Sequence, residues 1–350
     1  MTTQIPATTK QWTVSPTDGS KGFDVLKLSE VPVTPPGDSQ VLVKIEAASL
    51  NYRDLLITRG TYPWLTTPNV VPGSDGAGTV LAVGKHVTRF RPGDKVLTLF
   101  NQAHIGGPVS AAYLSTGLGG ALHGTLRGVG AFNEHGLVHM PAGLSAVEAA
   151  ALPCAALTAW NALEGVRGGQ WVLTQGTGGV SVAALQFAKA AGARVIATTG
   201  SKGKEEALRR LGADHVLNYN EVTDWGAKAK AITGGAGVDH VVEVAGPASM
   251  RQSIDAVRVG GVVSIIGFVG GAEGEKEPSF LETLTKMFTA RGVAIGSRLQ
   301  LEDMCRAIEA NPDRLRPVVD DKVFGLEQLK EAYEYLQSGK HFGKVCIKMD

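Results

Sequence analysis

Cysteine is scarce: the 350-residue chain has three, Cys154, Cys305 and Cys346. An odd, scattered set cannot staple a chain of this length or build a four-cysteine structural zinc site, and it favours a reducing compartment. Charge of one sign is lacking as well. Lys plus Arg number 34 and Asp plus Glu 33, a formal net charge of +1 with no long run of either sign. Neither nucleic acid nor an anionic membrane surface is therefore an expected partner. No stretch approaches the ~20 consecutive apolar residues of a bilayer-spanning helix, although the 43% hydrophobic content is that of a packed globular chain. Met1 to Lys10 is polar, with no apolar core behind a basic start, so it reads as neither a secretory nor a transit signal, and the cytoplasm is the expected location.

Two catalytic signatures are also missing. No Gly-x-x-x-x-Gly-Lys-Ser/Thr occurs, which argues against a P-loop NTPase. None of the six tyrosines has a lysine four residues on, so the proton-relay pair of short-chain dehydrogenases is excluded. What is abundant is glycine, 45 residues, well above the usual share of about 7%. Tight turns or close backbone approaches are required somewhere. The length exceeds the ~250 residues at which single cores stop growing, so two domains are expected.

The chain changes rhythm along its length. Up to about residue 100 it reads as short strands and turns: QVLVKIEA (40–47) alternates, GTVLAV (78–83) follows, and Arg91-Pro-Gly-Asp94 is a turn before Lys95-Val96-Leu97. From Trp171 the pattern becomes strand, helix, strand: WVLTQ (171–175), a helix to Ala191 stopped by Gly192, RVIAT (194–198), a helix to Gly212, then HVLN (215–218), VDHVVEV (238–244) and VVSIIG (262–267). Apolar strands alternating with helices predict an α/β doubly wound parallel sheet. A strand-like RGVAIGS (291–297), helices from Leu301 and Leu326, and a closing strand from Gly343 to Lys348, free to return to the β half, complete the reading. Residues 101–136 show little periodicity and are expected to form a long functional or mobile loop.

Strand 171–175 runs into Gly176-Thr177-Gly178-Gly179-Val180-Ser181 and then a helix. Gly176 permits the tight turn, Gly178 lets the backbone approach a pyrophosphate, and the helix N-terminus offers N–H groups to the anion. The third fingerprint position is Ser181 rather than Gly or Ala, which loosens the helix–strand packing argument. At the end of the second strand, Thr198-Thr199-Gly200-Ser201-Lys202-Gly203-Lys204 contains no carboxylate for a ribose 2′-hydroxyl. Hydroxyls together with Lys202 and Lys204 suit a 2′-phosphate, so NADPH is the expected cofactor. The alternative reading makes both lysines solvated residues of a helix start.

The segments SLNYRDLLITRGTYP (49–63), PGSDGAGTV (72–80), LPCAALTAWNAL (152–163), TQGTGGVSVAALQFAKAAGARVIATT (174–199), LGADHVLNY (211–219) and SGKHFGKVCIK (338–348) resemble the medium-chain dehydrogenase/reductase superfamily. Within it they are most similar to the zinc-free quinone oxidoreductase and enoyl reductase branch and to the zinc-type alcohol dehydrogenase-like proteins with a lengthened loop. The matches span nearly the whole chain and are far more specific for superfamily than for substrate. The resemblance implies a GroES-like β-barrel catalytic domain from residues 1–144 and 311–350, a Rossmann domain at 145–310, and a substrate in the cleft. It also implies a homodimer joined through an edge strand near Ala294 to Ser297.

By the same resemblance Thr158, Ile266, Gly267 and Phe268 lie near the nicotinamide, Ala245 and Gly246 near the adenosine, and Tyr219 beside the 2′-phosphate. Ser297 with Arg298, and Phe342, Gly343 and Lys344, close the cleft. Thr158 reads equally as an ordinary helix residue. The three catalytic zinc-ligand positions of alcohol-oxidising relatives match Asn51, Ser74 and Cys154. One thiol cannot replace three ligands, so no metal is expected, and Cys154 reads as a packed core thiol.

Without a Lewis acid to activate an alcohol, the sequence favours reduction of an electron-poor alkene or quinone. Hydride addition leaves charge on the conjugated oxygen, which needs hydrogen-bond donors, and a carbon that needs a proton. Asn51, at a position where similar quinone reductases carry Asn, is the candidate donor. Holding the turn at 51–54 is its other role. Tyr62 matches the proton donor proposed in similar enoyl thioester reductases, or else is a pocket wall. Tyr52 and Arg53 are lesser candidates. The expected function is NADPH-dependent reduction of a small electrophilic substrate. Metal-free alcohol or carbonyl oxidoreduction, or cofactor binding without turnover, are the alternatives.

Overall fold

The structure, a computed structural model, describes residues 5–267 and 278–349. The chain forms two compact units, Met1–Leu157 with Gly296–Asp350, and Thr158–Ile295. The resemblance implies divisions at 144 and 311, whereas the helix Arg298–Ala310 lies in the first unit rather than the second. Its N-terminal backbone explains this placement: Arg298 and Leu299 N–H groups donate to the His104 and Ile105 carbonyls, and Glu302 pairs with Arg89 at 2.8 Å.

The first unit is built on a seven-stranded sheet. Its strands run in the order Phe324–Gly325, Cys346–Lys348, Gln40–Ser49, Asp75–Val83, Lys95–Thr98 and Leu137–His139, with Val129–Asn133 pairing separately with Gln40–Ser49. Alternation in QVLVKIEAAS sends Val41, Val43 and Ile45 into a core shared with Leu55, Val80, Leu126, Phe132, Phe324 and Tyr333. The closing strand does return to this unit, with Cys346, Ile347 and Lys348 facing Ser49, Ala48 and Ala47. Residues 101–136 are not one uninterrupted loop: they hold the helix Ala111–Leu114 and the strand Val129–Asn133, with Leu118 and Leu126 buried.

The second unit is a six-stranded, all-parallel sheet. Its strands are ordered His215–Asn218, Arg194–Thr199, Trp171–Gln175, Val238–Glu243, Val257–Ile265 and Thr289–Gly292. In chain order that is 3-2-1-4-5-6, the Rossmann arrangement, with a topological switch between Trp171–Gln175 and Val238–Glu243. Ligands bind beyond the carboxyl ends of the strands at such a switch. The expected strand at 291–297 is corrected to Thr289–Gly292. Beyond it Ile295 takes φ +61°, and its carbonyl accepts from Asn161 Nδ2 at 2.8 Å, which ends the extended path. The expected dimer edge at 294–297 therefore falls just past the strand.

Candidate active site

In the first unit, strand Gln40–Ser49 is followed by Leu50, and Asn51 caps the helix Tyr52–Thr58. The turn is held by Asp54, whose Oδ2 accepts the Asn51 backbone N–H at 2.8 Å. Complete burial pushes the Asp54 carboxyl up to about 6, against the lowering effects of Arg53 and of that N–H. The Asn51 carboxamide is turned elsewhere: Oδ1 accepts from Lys344 Nζ at 2.6 Å, and Nδ2 donates to Ser74 Oγ at 3.3 Å.

Tyr62 is held by Arg53. The guanidinium Nε donates to the phenolic oxygen at 3.0 Å, and its carbon stands 4.7 Å from the Tyr62 ring centroid and 4.4 Å from that of Phe100. Arg53 Nη1 donates to the Leu118 carbonyl at 2.6 Å, so the 101–136 segment fixes the guanidinium. Burial raises the Tyr62 pKa, and Arg53 acts in the opposite direction. The ring of Trp64, which is exposed, lies 5.2 Å from that of Tyr62.

Zinc can be tested against the three candidate ligands. Asn51 and Ser74 are hydrogen-bonded to each other, and Ser74 Oγ donates to Asp75 Oδ1 at 2.6 Å. Cys154 sits in the π-helical turn Leu152–Ala156, where burial drives its thiol far above the ordinary range. An amide and a hydroxyl leave Cys154 as the one zinc-type donor of the three, short of the three protein ligands that a catalytic zinc takes. Among the described residues no group of three His, Cys, Asp or Glu side chains is placed to hold a metal.

In the second unit the sheet and the helix Gly179–Ala190 build the dinucleotide turn. Gly176 has φ +76°, a left-handed conformation that side chains rarely adopt, and its N–H donates to the Thr198 carbonyl at 2.8 Å. Gly178 caps the helix with no side-chain bond, and Cβ atoms placed on Gly176 or Gly178 would meet nothing within 4 Å. With Thr177, Gly179 and Val180 beside them, these residues leave open helix-start N–H groups, so the turn fits a pyrophosphate. Ser181 does not loosen the packing: its hydroxyl donates to the Gln175 carbonyl and ties helix to strand.

At the end of the strand Arg194–Thr199, Ser201 starts the helix Lys202–Arg210 with no side-chain cap. A Cβ on Gly200 would come within 2.4 Å of Tyr219 Oη, so glycine lets the Tyr219 ring lie against this turn beside Thr199, Ser201, Lys202 and Lys204. The carboxylate of the first turn, Glu205, is engaged by Asn218 and Arg209, each at 3.3 Å.

Sequence reasoning missed a hub at the switch point. The carboxylate of Glu243, fully buried at the end of its strand, accepts from the Ala245 and Gly246 N–H groups at 3.0 and 2.9 Å, from Ser249 at 2.6 Å, from Gln175 Nε2 at 2.7 Å and from Ser253. An acidic residue inside the apolar run VDHVVEV was the available signal. Ile266 donates its N–H to the Glu243 carbonyl at 2.9 Å, with Gly267 next in the chain, while Phe268 lies outside the described residues.

Thr158 is buried at the start of the second unit. Ser297 accepts from the Gln300 N–H as the cap of its helix, and Arg298 reaches His135 at 3.2 Å and Glu302 at 3.4 Å. The Phe342 N–H donates to Asp320 at 2.8 Å, and Gly343 packs against Val318. Lys344, expected beside a cofactor, instead turns its ammonium inward to the Leu50 carbonyl, at 2.6 Å, and to Asn51.

The chain matches two family descriptions, the alcohol dehydrogenase GroES-like domain over residues 37–144 and the zinc-binding dehydrogenase over residues 179–310. It is 44% identical over 343 residues to a zinc-type alcohol dehydrogenase-like protein of Schizosaccharomyces pombe, covering 95% of this chain and 98% of the relative. It is 31% identical over 336 residues to a quinone oxidoreductase of Sus scrofa, with 93% and 94% covered. Among solved structures, a Sinorhizobium meliloti protein assigned as an alcohol dehydrogenase superposes with a TM-score of 0.90 at 38% identity, covering 99% and 100%. With a GroES-like unit, a Rossmann sheet and relatives aligned over nearly their full lengths, the chain belongs to the medium-chain dehydrogenase/reductase superfamily of oxidoreductases.

Proposed function

We propose that this protein is a zinc-free, NADPH-dependent reductase of activated C=C bonds or quinones. The observation that carries the reading is the Arg53 to Tyr62 hydrogen bond: a phenolic oxygen that accepts from a cation keeps its own proton free to give. When bound at the glycine turn, the dinucleotide supplies a hydride to the electron-poor carbon. The alkene electrons then move onto the conjugated oxygen, Asn51 Nδ2 donates to that oxygen, and Tyr62 Oη delivers a proton to the neighbouring carbon. The Arg53 guanidinium steadies the tyrosinate left behind until solvent reprotonates it.

NADPH rather than NADH is supported by Ser201, Lys202, Lys204 and Tyr219 around Gly200, with Glu205 engaged elsewhere. The same reading keeps the expected cofactor contacts at Thr158, Thr199, Ala245, Gly246, Ile266 and Gly267. A homodimer is supported by the edge strand Thr289–Gly292, by the exposed Phe280, Leu284 and Met287 just before it in sequence, and by the exposed Val259 on the strand paired with it, Phe280 being 89% exposed. Three scattered cysteines, an odd number, suit a cytoplasmic setting.

The test is NADPH consumption with a panel of a small enone, a benzoquinone and an aryl ketone. Turnover of the enone or quinone, lost by roughly 100-fold or more in kcat in Tyr62→Phe, is expected, the scale of general acid catalysis. Turnover of the ketone alone would favour carbonyl reduction. No turnover of any member would leave a cofactor-binding protein.

A further inference from the structure

Three antiparallel strands meet behind Asn51. Ser49 pairs with Asp75 on one side and with Cys346 on the other, which brings Lys344, two residues before Cys346, close to the end of the Gln40–Ser49 strand. Lys344 Nζ lies 3.5 Å from Asp75 Oδ2, and the two residues are 5% and 0% exposed. A buried ion pair of this kind contributes little net stability over apolar packing, so its presence calls for another account.

Three hydrogen bonds run from Lys344 through Asn51 and Ser74 to Asp75, the ion pair at 3.5 Å completes the circuit, and the direction of each hydrogen bond is determined. An ammonium only donates, so the Asn51 oxygen must face Lys344, at 2.6 Å. An ionised carboxylate only accepts, so Ser74 must give its single proton to Asp75, at 2.6 Å. Ser74 is then left to accept from Asn51, at 3.3 Å, and the Asn51 nitrogen must face Ser74. Two independent arguments, one through the cation and one through the anion, fix the same orientation of the same amide.

We propose that Lys344 is a positioning residue for the reaction: with Asp75 and Ser74 it locks the Asn51 carboxamide so that its remaining N–H is the donor to the developing enolate. The proposal rests on the reading of Asn51 as that donor. A positive charge bonded to the amide oxygen withdraws electron density from the amide nitrogen and strengthens its N–H as a donor, because hydrogen bonds in a chain polarise one another. The cation thus acts on the enolate through Asn51, without touching substrate.

A double-mutant cycle with NADPH and but-3-en-2-one tests this. Lys344→Met, and Asp75→Asn/Lys344→Met in case an uncompensated Asp75 prevents folding, are compared in the wild-type and Asn51→Ala backgrounds. The expected result is a loss in kcat of about tenfold or more in the wild-type background and less than about twofold in Asn51→Ala, with Lys344→Arg largely restoring kcat and the NADPH Kd unchanged. Equal losses in both backgrounds, or an unchanged kcat in Asp75→Asn/Lys344→Met, would overturn the proposal while leaving Asn51 as donor. An Asn51→Ala enzyme of undiminished kcat would remove the donor role, and the proposal with it.

Discussion

Gln175 and Glu243 are joined side chain to side chain, Nε2 to Oε2 at 2.7 Å, across the switch point of the parallel sheet. The two strands that frame the dinucleotide site are thus tied at their carboxyl ends, and the other oxygen of Glu243 holds the Ala245 and Gly246 amides. Glu243→Ala would leave buried donors without an acceptor at roughly 1 to 3 kcal/mol each. A lower Tm and NADPH binding weakened by about tenfold or more are expected. Unchanged affinity in a calorimetric titration would show that this hub does not shape the site.

Cofactor choice should follow the Gly200 turn. Lys202→Ala is expected to weaken NADPH binding by roughly 1.5 to 3 kcal/mol, the scale of a charge-assisted hydrogen bond, while leaving NADH affinity unaltered. A wild-type protein that binds NADH as tightly as NADPH in the same titration would refute the preference.

The purified protein should hold no stoichiometric zinc and keep full activity after dialysis against a chelator, because Asn51, Ser74 and Cys154 are a poor donor set. Elemental analysis near one zinc per chain, with activity lost on its removal, is the contrary result.

Asp54 gives stability a pH dependence. Its pKa is about 6 in the folded chain against an ordinary 3.8, so the folded state binds the proton more tightly than the unfolded state does. The contribution is fully present below pH ~4 and is lost as pH rises through ~6, a span worth up to roughly 3 kcal/mol. Asp54→Asn keeps an acceptor for the Asn51 N–H and removes the titration. Its Tm relative to the wild type should therefore rise between pH 4.5 and 7.5, and a flat difference would contradict the assignment.

Local chemistry made much of this molecule legible. Trp171–Gln175 and His215–Asn218 fall where their apolar runs placed them, and the glycine turn needs only a strand before it and a helix after it. The unread parts depend on partners distant in the chain. RGVAIGS has the composition of a strand, but a positive φ at Ile295 and the grip of Asn161 stop it at Gly292. Residues 101–136 lack periodicity because their order comes from short bridges and from contacts such as Arg53 to Leu118. For Lys344, the motif located the residue, while its partners Asp75 and Asn51 become visible only once the strands are paired.

The closing strand Cys346–Lys348 lies beside Gln40–Ser49 from the far side of an intervening domain. During synthesis the barrel must therefore wait, with the 47–49 end of its central strand still unpaired by Cys346–Lys348, while the whole Rossmann segment emerges and is free to fold first. Asn51 acquires its cation only when that last segment arrives. A chain stalled short of Lys344 would carry a finished nucleotide fold and an unfinished catalytic one.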